Sequence, residues 1–370
     1  MAVLTKTTTC IMDCPDTCEL SVEVTDDKIS KISAAKNGHP NTNGFICNKV
    51  SRYGERVYHK DRVRYPMRRV GAKGEGRFER VSWDEAIAQI VDNFQQTKAR
   101  WGGEAILPYH YGGSNGLLGD SFIDHYFFAK LGASKLAKTI CAVPTTTVAT
   151  EMYGKMPGVA FEDYPAAKCI IVWGANPKAS NIHLTPYLKQ AKKNGAFIAV
   201  VDPKKNFSNR EADLHLPVYP GADLPLALAM INFWRDRDLI DYSFLENHAE
   251  DYEPLLEASR EWTLEKAAKV AHVSADAIKK LATVYAKTSP AVMRCGWGVE
   301  RNQNGGRAVA AIMAMPALLG KFGVQGGGYT MSNSGAVDLK TDKIFGDFEW
   351  NTREFNMTQL GAQLLSLIHI

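Results

Sequence analysis

The chain has 370 residues, more than one ordinary domain holds, so two or three domains are expected. A hydrophobic content of 45% with 23% charged residues describes a globular protein with a sizeable core, and no run approaches the length of a membrane-spanning helix. The net charge of +4 is too mild to argue for a polyanionic partner, and seven cysteines, four of them in one constellation, fit metal ligation better than a disulfide framework.

Along the chain, the first signal is also the densest. Cys10, Cys14 and Cys18 recur at four-residue intervals, and Cys47 follows a polar spacer in Gly44-Phe-Ile-Cys47-Asn-Lys49. Four thiolates that one fold can bring to a point hold either a tetrahedral zinc or a four-iron cluster. Zinc ligands usually come two and two, whereas three plus one is the grouping of cubane clusters, so a 4Fe-4S cluster is favoured over zinc and over ordinary buried cysteines. Between these cysteines, Leu20–Val24 alternates apolar and polar residues, Asp26-Asp27 makes a turn, and Lys28–Ser33 returns as a second strand. Asn37-Gly38 and the stretch from Pro40 to Gly44 are turn chemistry, and His39 is expected to be a loop residue.

A basic run follows, with Arg62, Arg64, Arg68, Arg69 and Lys73. No aromatic platform or recognition helix accompanies it, so it is expected to be a solvated linker face rather than a nucleic-acid site. Ser82-Trp-Asp-Glu85 has the spacing of a capping box, and the helix it starts is expected to bury Ile87, Ile90, Val91 and Phe94 and to stop at Gly102-Gly103. A short strand, Ala105–Tyr109, then leads into Tyr111-Gly-Gly-Ser-Asn-Gly116 and a helix over 117–131. Backbone amides at such a glycine-rich junction suit anionic or polar cofactor groups, although glycine loops also serve as plain turns. Cys141 follows alone in an apolar segment, where a core role is the usual one.

From about 150 to 330 strands alternate with helices, the sign of a mostly parallel sheet covered on both faces. Strands are expected at Cys169–Trp173, Ala196–Val201 and Ala291–Cys295, and helices over 182–193, 263–271 and 274–288. Asp202 ends a strand, where a carboxylate is well placed to bind ribose or guanine. There is no Gly-x-Gly-x-x-Gly, so a nicotinamide domain is not supported. The polar turn over 296–306 is a further candidate cofactor contact, Gly326-Gly-Gly328 is expected to mark a crossover into the preceding domain, and Cys169 and Cys295 are expected to be core.

Cys-x3-Cys-Pro-Asp-Thr-Cys followed by Gly-Phe-Ile-Cys-Asn-Lys resembles the opening of the molybdenum/tungsten bis-pterin oxidoreductases, the family that includes dimethyl sulfoxide reductase, formate dehydrogenases, periplasmic nitrate reductases and acetylene hydratase. The likeness extends over residues 8–363 and departs in the three residues between Cys10 and Cys14, where many members have two. It implies a small N-terminal 4Fe-4S domain, α/β domains that include a doubly wound, Rossmann-like sheet, and a C-terminal barrel-like domain that is missing. By resemblance Lys49 lies between cluster and pterin, Gly113, Ser114 and Asn115 touch the pterin, and Cys141 ligates Mo or W. The phrases Gly174-Ala-Asn176-Pro, Val-Asp202-Pro-Lys and Pro-Gly221-Ala-Asp223 match the elements that bind the guanine dinucleotide end of one pterin. Each alone could be a turn or a helix cap. Formate dehydrogenases of the family place a histidine after the metal ligand, and Ala142 in that position argues against formate oxidation.

The resemblance therefore implies a two-electron reaction on a small-molecule substrate at a Mo- or W-bis(molybdopterin guanine dinucleotide) centre, with electrons relayed through the cluster to a possible electron-transfer protein or subunit. The expected catalytic residues are Cys141 and Lys49. The rivals are an electron-transfer subunit like the large subunit of NADH dehydrogenase, whose additional cysteine clusters are absent here, and a non-redox hydratase. No signal core or twin-arginine sequence precedes Cys10, so a cytoplasmic location is expected. The expected domains are 1–62 for the cluster, 63–150 for the first α/β part, 151–330 for the dinucleotide-binding part, and 331–364 for a truncated return to the second. Residues 365–370 are expected to be a tail translated from sequencing-adapter DNA on a truncated reading frame.

Overall fold

The computed structural model describes residues 3–35, 39, 41–112, 123–208, 210–332 and 349–367. Contacts divide the chain into two units, one of Met1–Asp13, Thr17–Thr139 and Leu339–Ile370, the other of Cys14–Asp16 and Ile140–Asp338.

The first unit opens with an antiparallel sheet of β1 (Leu4–Thr9), β2 (Glu19–Thr25) and β3 (Lys28–Ala34), in that order. The expected hairpin is β2–β3. Asp26 and Asp27 take φ of 50° and 56°, the two left-handed residues that a tight turn between twisted strands needs. The exposed β1 is an addition to the expected elements. Its threonine run carries no alternation, and only its pairing with β2, from Leu4↔Val24 to Thr9↔Glu19, makes it a strand. After Cys47 come α1 (Asn48–Ser51) and α2 (Tyr53–Val57). The basic run becomes an exposed hairpin of β4 (Met67–Arg69) and β5 (Phe78–Arg80), with Arg68 paired to Glu79.

Helix α3 (Trp83–Trp101) starts at the predicted capping box. Ser82 Oγ accepts from Glu85 N at 3.1 Å, and Glu85 Oε2 accepts from Ser82 N at 2.7 Å. It stops at Gly102, whose φ of 85° leaves the helical region. Its expected burial is wrong. Ile87 and Ile90 are each 53% exposed, Val91 is exposed, Phe94 is half-buried, and among the described residues of α3 none is buried. The apolar stripe has helical spacing, but spacing supplies no partner surface. The expected strand Ala105–Tyr109 is also not formed. A 3-10 turn at Gly103–Ala105 precedes an unladdered stretch, where Ile106 O accepts from Ser134 N at 2.9 Å, and Pro108 could not donate to a ladder in any case. The chain continues through α4 (Ile123–Leu131) and β6 (Lys135–Ala137).

The second unit starts with α5 (Val143–Tyr153) and is built on five parallel strands. In chain order its elements are β7 (Cys169–Trp173), α6 (Pro177–Ser180), α7 (Leu184–Lys193), β8 (Phe197–Val201), β9 (Leu214–Leu216), α8 (Asp223–Arg235), α9 (Tyr242–His248), α10 (Glu253–Ser259), α11 (Leu264–Ala271), α12 (Ala275–Lys287), β10 (Ala291–Cys295), α13 (Gly305–Leu318) and β11 (Gly328–Thr330). The spatial order is β11-β10-β7-β8-β9. Alternate residues feed two cores. Cys169, Ile171, Trp173, Met293 and Cys295 pack with α8, α12 and α13, while Ile170, Val172, Ile198, Val200 and Val292 pack with α7. That two-sided burial is why these strands read as continuous apolar runs. Strand order runs outward from β7 to β9 on one side and from β10 to β11 on the other, so the sheet has a switch point between β7 and β10. In an open sheet of this kind the ligand crevice lies beyond the carboxyl ends of the strands at that point. The chain then returns to the first unit, where β12 (Glu354–Asn356) pairs with β6 and α14 (Leu360–Leu367) follows.

Candidate functional site

The cysteine motif is held by a small core in the first unit. Buried Cys18, Leu20 and Val50 pack with Cys10, Ile32, Ile46, Cys47 and Tyr53, and Cys10 N donates to Cys18 O at 2.8 Å. Cys14 is half-buried and falls, with Pro15 and Asp16, in the second unit. Three thiols in one core, with the fourth tied between two of them by three-residue spacers, is a donor set that suits a four-iron cluster. Lys49 is exposed in the last turn of α1 and lines a cavity of about 960 Å³ together with Ile11, Asn48, Arg52, Arg56 and Arg62. Glu55 and Asp61 share the lining, and Arg52 pairs with Glu55 at 2.6 Å, so Lys49, Arg56 and Arg62 are its remaining basic side chains.

Asp16, inside the cysteine motif, is 2% exposed. Asn181 Nδ2 donates to its Oδ1, and His183 Nδ1 lies 3.0 Å from its Oδ2. Asn181 Oδ1 in turn accepts from Arg294 Nε at 3.2 Å and Nη2 at 3.1 Å, and Arg294 Nη1 donates to the carbonyls of Cys295 and Met331. One asparagine bridges a buried carboxylate and a buried guanidinium, with His183 and two backbone carbonyls completing their contacts.

Cys141 is half-buried, just ahead of α5. Arg301 Nη1 donates to Ile140 O at 2.8 Å and to Cys141 O at 2.6 Å, and its Nη2 lies 3.9 Å from Cys141 Sγ. The neighbouring Glu300 has a fully buried side chain. Its Oε2 accepts from Thr145 N at 2.9 Å and Thr145 Oγ1 at 2.6 Å, so its carboxylate sits at the N-terminus of α5. Its Oε1 lies 3.2 Å from Arg301 Nη1 but makes no hydrogen bond among the described residues, an ion pair at poor angle. Burial pushes the Glu300 pKa up despite the Thr145 bonds. Cys141 is thus backed by a guanidinium. Burial instead pushes both the Cys169 and the Cys295 thiols up to about 12, which suits the core roles expected of them.

At the switch point the backbones of β7 and β10 run close together. A Cβ on Gly296 would stand 2.4 Å from Gly174 O, and one on Gly298 3.0 Å from the same atom, so only glycine fits at the rim of the crevice. Gly174 itself takes φ of 58°. Asn176 precedes α6 but does not cap it. Its Nδ2 donates to Asn206 Oδ1 at 3.3 Å, and its Oδ1 is buried with no hydrogen-bond partner among the described residues. Asp202 Oδ1 accepts from Lys204 N at 2.7 Å, a turn role, and burial raises its pKa. Asp223, 8% exposed at the start of α8 and just after Gly221, uses Oδ1 to accept from Trp173 Nε1 at 2.7 Å, and burial raises its pKa too. An orphaned buried acceptor beside two carboxylates and bare backbone fits a polar, hydrogen-bond-donating dinucleotide. Gly113, Ser114 and Asn115 lie outside the described residues.

The sequence marks the polar turn over 296–306 as a whole, and within it Glu300 and Arg301 make the long-range contacts. The adjacent acid and base between two glycine pairs were the available signal. Asp16 was visible only as part of the cysteine motif.

A family model described as Molybdopterin oxidoreductase matches residues 62–363, and one described as Molybdopterin oxidoreductase Fe4S4 domain matches residues 4–59. The chain is 37% identical over 359 residues to the probable oxidoreductase YoaE of Bacillus subtilis, covering 96% of this chain and 53% of that protein. It is 30% identical over 374 residues to the dimethyl sulfoxide reductase DmsA of Escherichia coli, covering 88% and 44%. Among solved structures, acetylene hydratase from Pelobacter acetylenicus superposes with a TM-score of 0.69 at 29% identity, over 85% of this chain and 44% of that one. The chain spans about half the length of the curated relatives it matches.

Proposed function

The chain belongs to the molybdopterin oxidoreductase family and carries its Fe4S4 domain, and on that premise we propose that it serves a two-electron redox reaction of a small-molecule substrate. A Mo or W centre carried by two pterin guanine dinucleotides would supply the redox chemistry when bound. Every other role falls to this chain's residues. Cys10, Cys14, Cys18 and Cys47 hold the 4Fe-4S cluster, and Lys49 places a cation beside it. Cys141 offers a thiolate to the metal, with Arg301 holding its backbone. Gly113, Ser114 and Asn115 approach the pterin. Gly174, Asn176, Asp202, Gly221 and Asp223 bind the guanine dinucleotide end, the carboxylates accepting from its N–H and O–H donors. The proposed domains are 1–62, 63–150 and 151–330, with 331–364 returning to the second. Electrons would leave or arrive through a partner protein or subunit, in the cytoplasm. No helix among the described residues is long and apolar enough to cross a membrane.

The observation that carries this reading is the switch-point crevice, with glycine backbones at its rim and Asn176 Oδ1 buried without a partner. Its test is Asp223→Ala in protein purified without oxygen. Pterin per chain should fall while iron stays near four per chain, as a 4Fe-4S cluster requires. If both fall together, Asp223 acts on folding and the assignment fails. X-ray absorption on wild type and Cys141→Ala tests the metal ligand, because identical metal–sulfur scattering would reduce Cys141 to a packing residue. The likeness to acetylene hydratase favours a second reading, hydration with the metal as Lewis acid. Turnover without reduction of any electron acceptor would select it.

A further inference from the structure

In the first unit, away from all seven cysteines in sequence and chemistry, three side chains form a second donor set. His110 Nε2 lies 3.6 Å from Asp124 Oδ2, and one donor atom from each of His110, Asp124 and His125 can be chosen so that all three stand within 4.8 Å of one another. The two imidazoles meet edge to face, with centroids 5.8 Å apart at 74°. We propose that these residues bind a divalent transition-metal ion of the zinc class. Two imidazoles and one carboxylate are a borderline donor set that suits such ions and leaves positions open for water.

The geometry needs little adjustment. Around a tetrahedral ion with bonds of about 2.0–2.1 Å, neighbouring donor atoms stand about 3.3 Å apart. The His110–Asp124 pair, at 3.6 Å, is already close to that spacing, and the remaining donor, within 4.8 Å, would have to close in on the ion. Asp124 and His125 are successive residues in the first turn of α4 and point about 100° apart, so a shared ion needs a third donor from another segment, which His110 provides. The ring of His125 packs edge-on against Trp350 at 5.5 Å, and Trp350 Nε1 donates to Ala133 O at 2.8 Å. One ligand is therefore held by an anchored indole, as supporting residues hold metal-binding histidines elsewhere. The side chains of His110 and Asp124 are 29% and 33% exposed, so an ion has a route in. Because His110 precedes the 111–123 stretch and Asp124 follows it, the ion would tie together the two ends of the glycine-rich segment, a structural role rather than a redox one.

The test uses the whole chain with its iron–sulfur cluster loaded, titrated anaerobically with zinc chloride by calorimetry and examined at the zinc edge by X-ray absorption. The expected result is one zinc per chain with a first shell of nitrogen and oxygen at about 2.0–2.1 Å, without the sulfur shell at about 2.3 Å that thiolates would give. His110→Gln and His125→Gln should each weaken binding at least tenfold while iron content and far-UV circular dichroism stay unchanged. His110 lies outside any helix, so its variant keeps the test open if His125→Gln fails to fold. No zinc bound, sulfur in the first shell, or affinity unchanged in the folded variants would overturn the site.

Discussion

Helices α3 and α8 are both long and both carry apolar residues, α3 in a stripe at helical spacing and α8 in a nearly continuous run, and they end in opposite states. From Pro225 to Trp234 every residue of α8 is buried, with Trp234 Nε1 donating to Ala282 O at 2.9 Å, whereas among the described residues of α3 none is buried. Local signals favour α3, which has a full capping box where α8 has no side-chain cap. What differs is the supply of partner surface. Helix α8 lies in a unit whose central strands are covered on both faces, and α3 in a unit built of small sheets and short helices. A hydrophobic stripe thus names the face a helix would bury and leaves open whether anything covers it.

The largest expected effect tests that contrast directly. Leu226→Ala in α8, at 0% exposure, should cost about 2–5 kcal/mol in urea unfolding, while Ile90→Ala in α3 should cost less than about 0.5 kcal/mol. Equal losses would break the comparison. Next comes the polar interior of the second unit. Asp16→Ala strands Asn181 Nδ2 and removes the carboxylate beside His183 Nδ1, where the side chains of His183 and Asp16 are 0% and 3% exposed, and should cost about 2–3 kcal/mol. Iron per chain should fall with it, since Asp16 lies between Cys14 and Cys18, and full stability with full iron would show that the network is ornamental.

Ser82→Ala sharpens the contrast from the other side. If α3 is held by its cap rather than by burial, losing the reciprocal Ser82–Glu85 bonds should cost about 1 kcal/mol, more than Ile90→Ala does. A smaller loss than at Ile90 would return the weight to the stripe. The smallest effect is expected at the surface of the second unit. The Lys178 ammonium, with Ser208, holds the Glu211 carboxyl down at about 2. With the folded value below the unfolded one of about 4.3, the pair stabilises the fold above that pH and the contribution is lost as pH falls toward 2. Exposure of the pair limits it to no more than about 0.5 kcal/mol. Glu211→Gln should flatten that part of an acid-unfolding curve, and an unchanged curve would assign the pair no weight.

Much of this was legible before any fold was known. Asp26-Asp27 announced a turn because few residues tolerate left-handed φ, and Ser82-x-x-Glu85 announced a helix start because its hydrogen bonds close within four residues. The strands at 169–173, 197–201 and 291–295 stood out because burial on both faces leaves no polar positions. The cysteine spacing likewise pointed to a metal-binding loop from chain geometry alone. Apart from Cys47, which lies 29 positions after Cys18, these signals are carried by a few neighbouring residues.

What the chain could not declare depends on partners far along it. β1 is a strand only because β2 pairs with it, and Ala105–Tyr109 is not one because no ladder receives it. The Glu300–Thr145 and Arg301–Cys141 contacts join residues about 155 and 160 positions apart, and Asp16 meets Asn181 and His183 at separations of 165 and 167. Composition and spacing determined which residues were able to ligate, cap or turn. Only the tertiary structure decided which buried carboxylate meets which donor, because a charge in a low-dielectric interior must be satisfied by whatever the fold brings beside it.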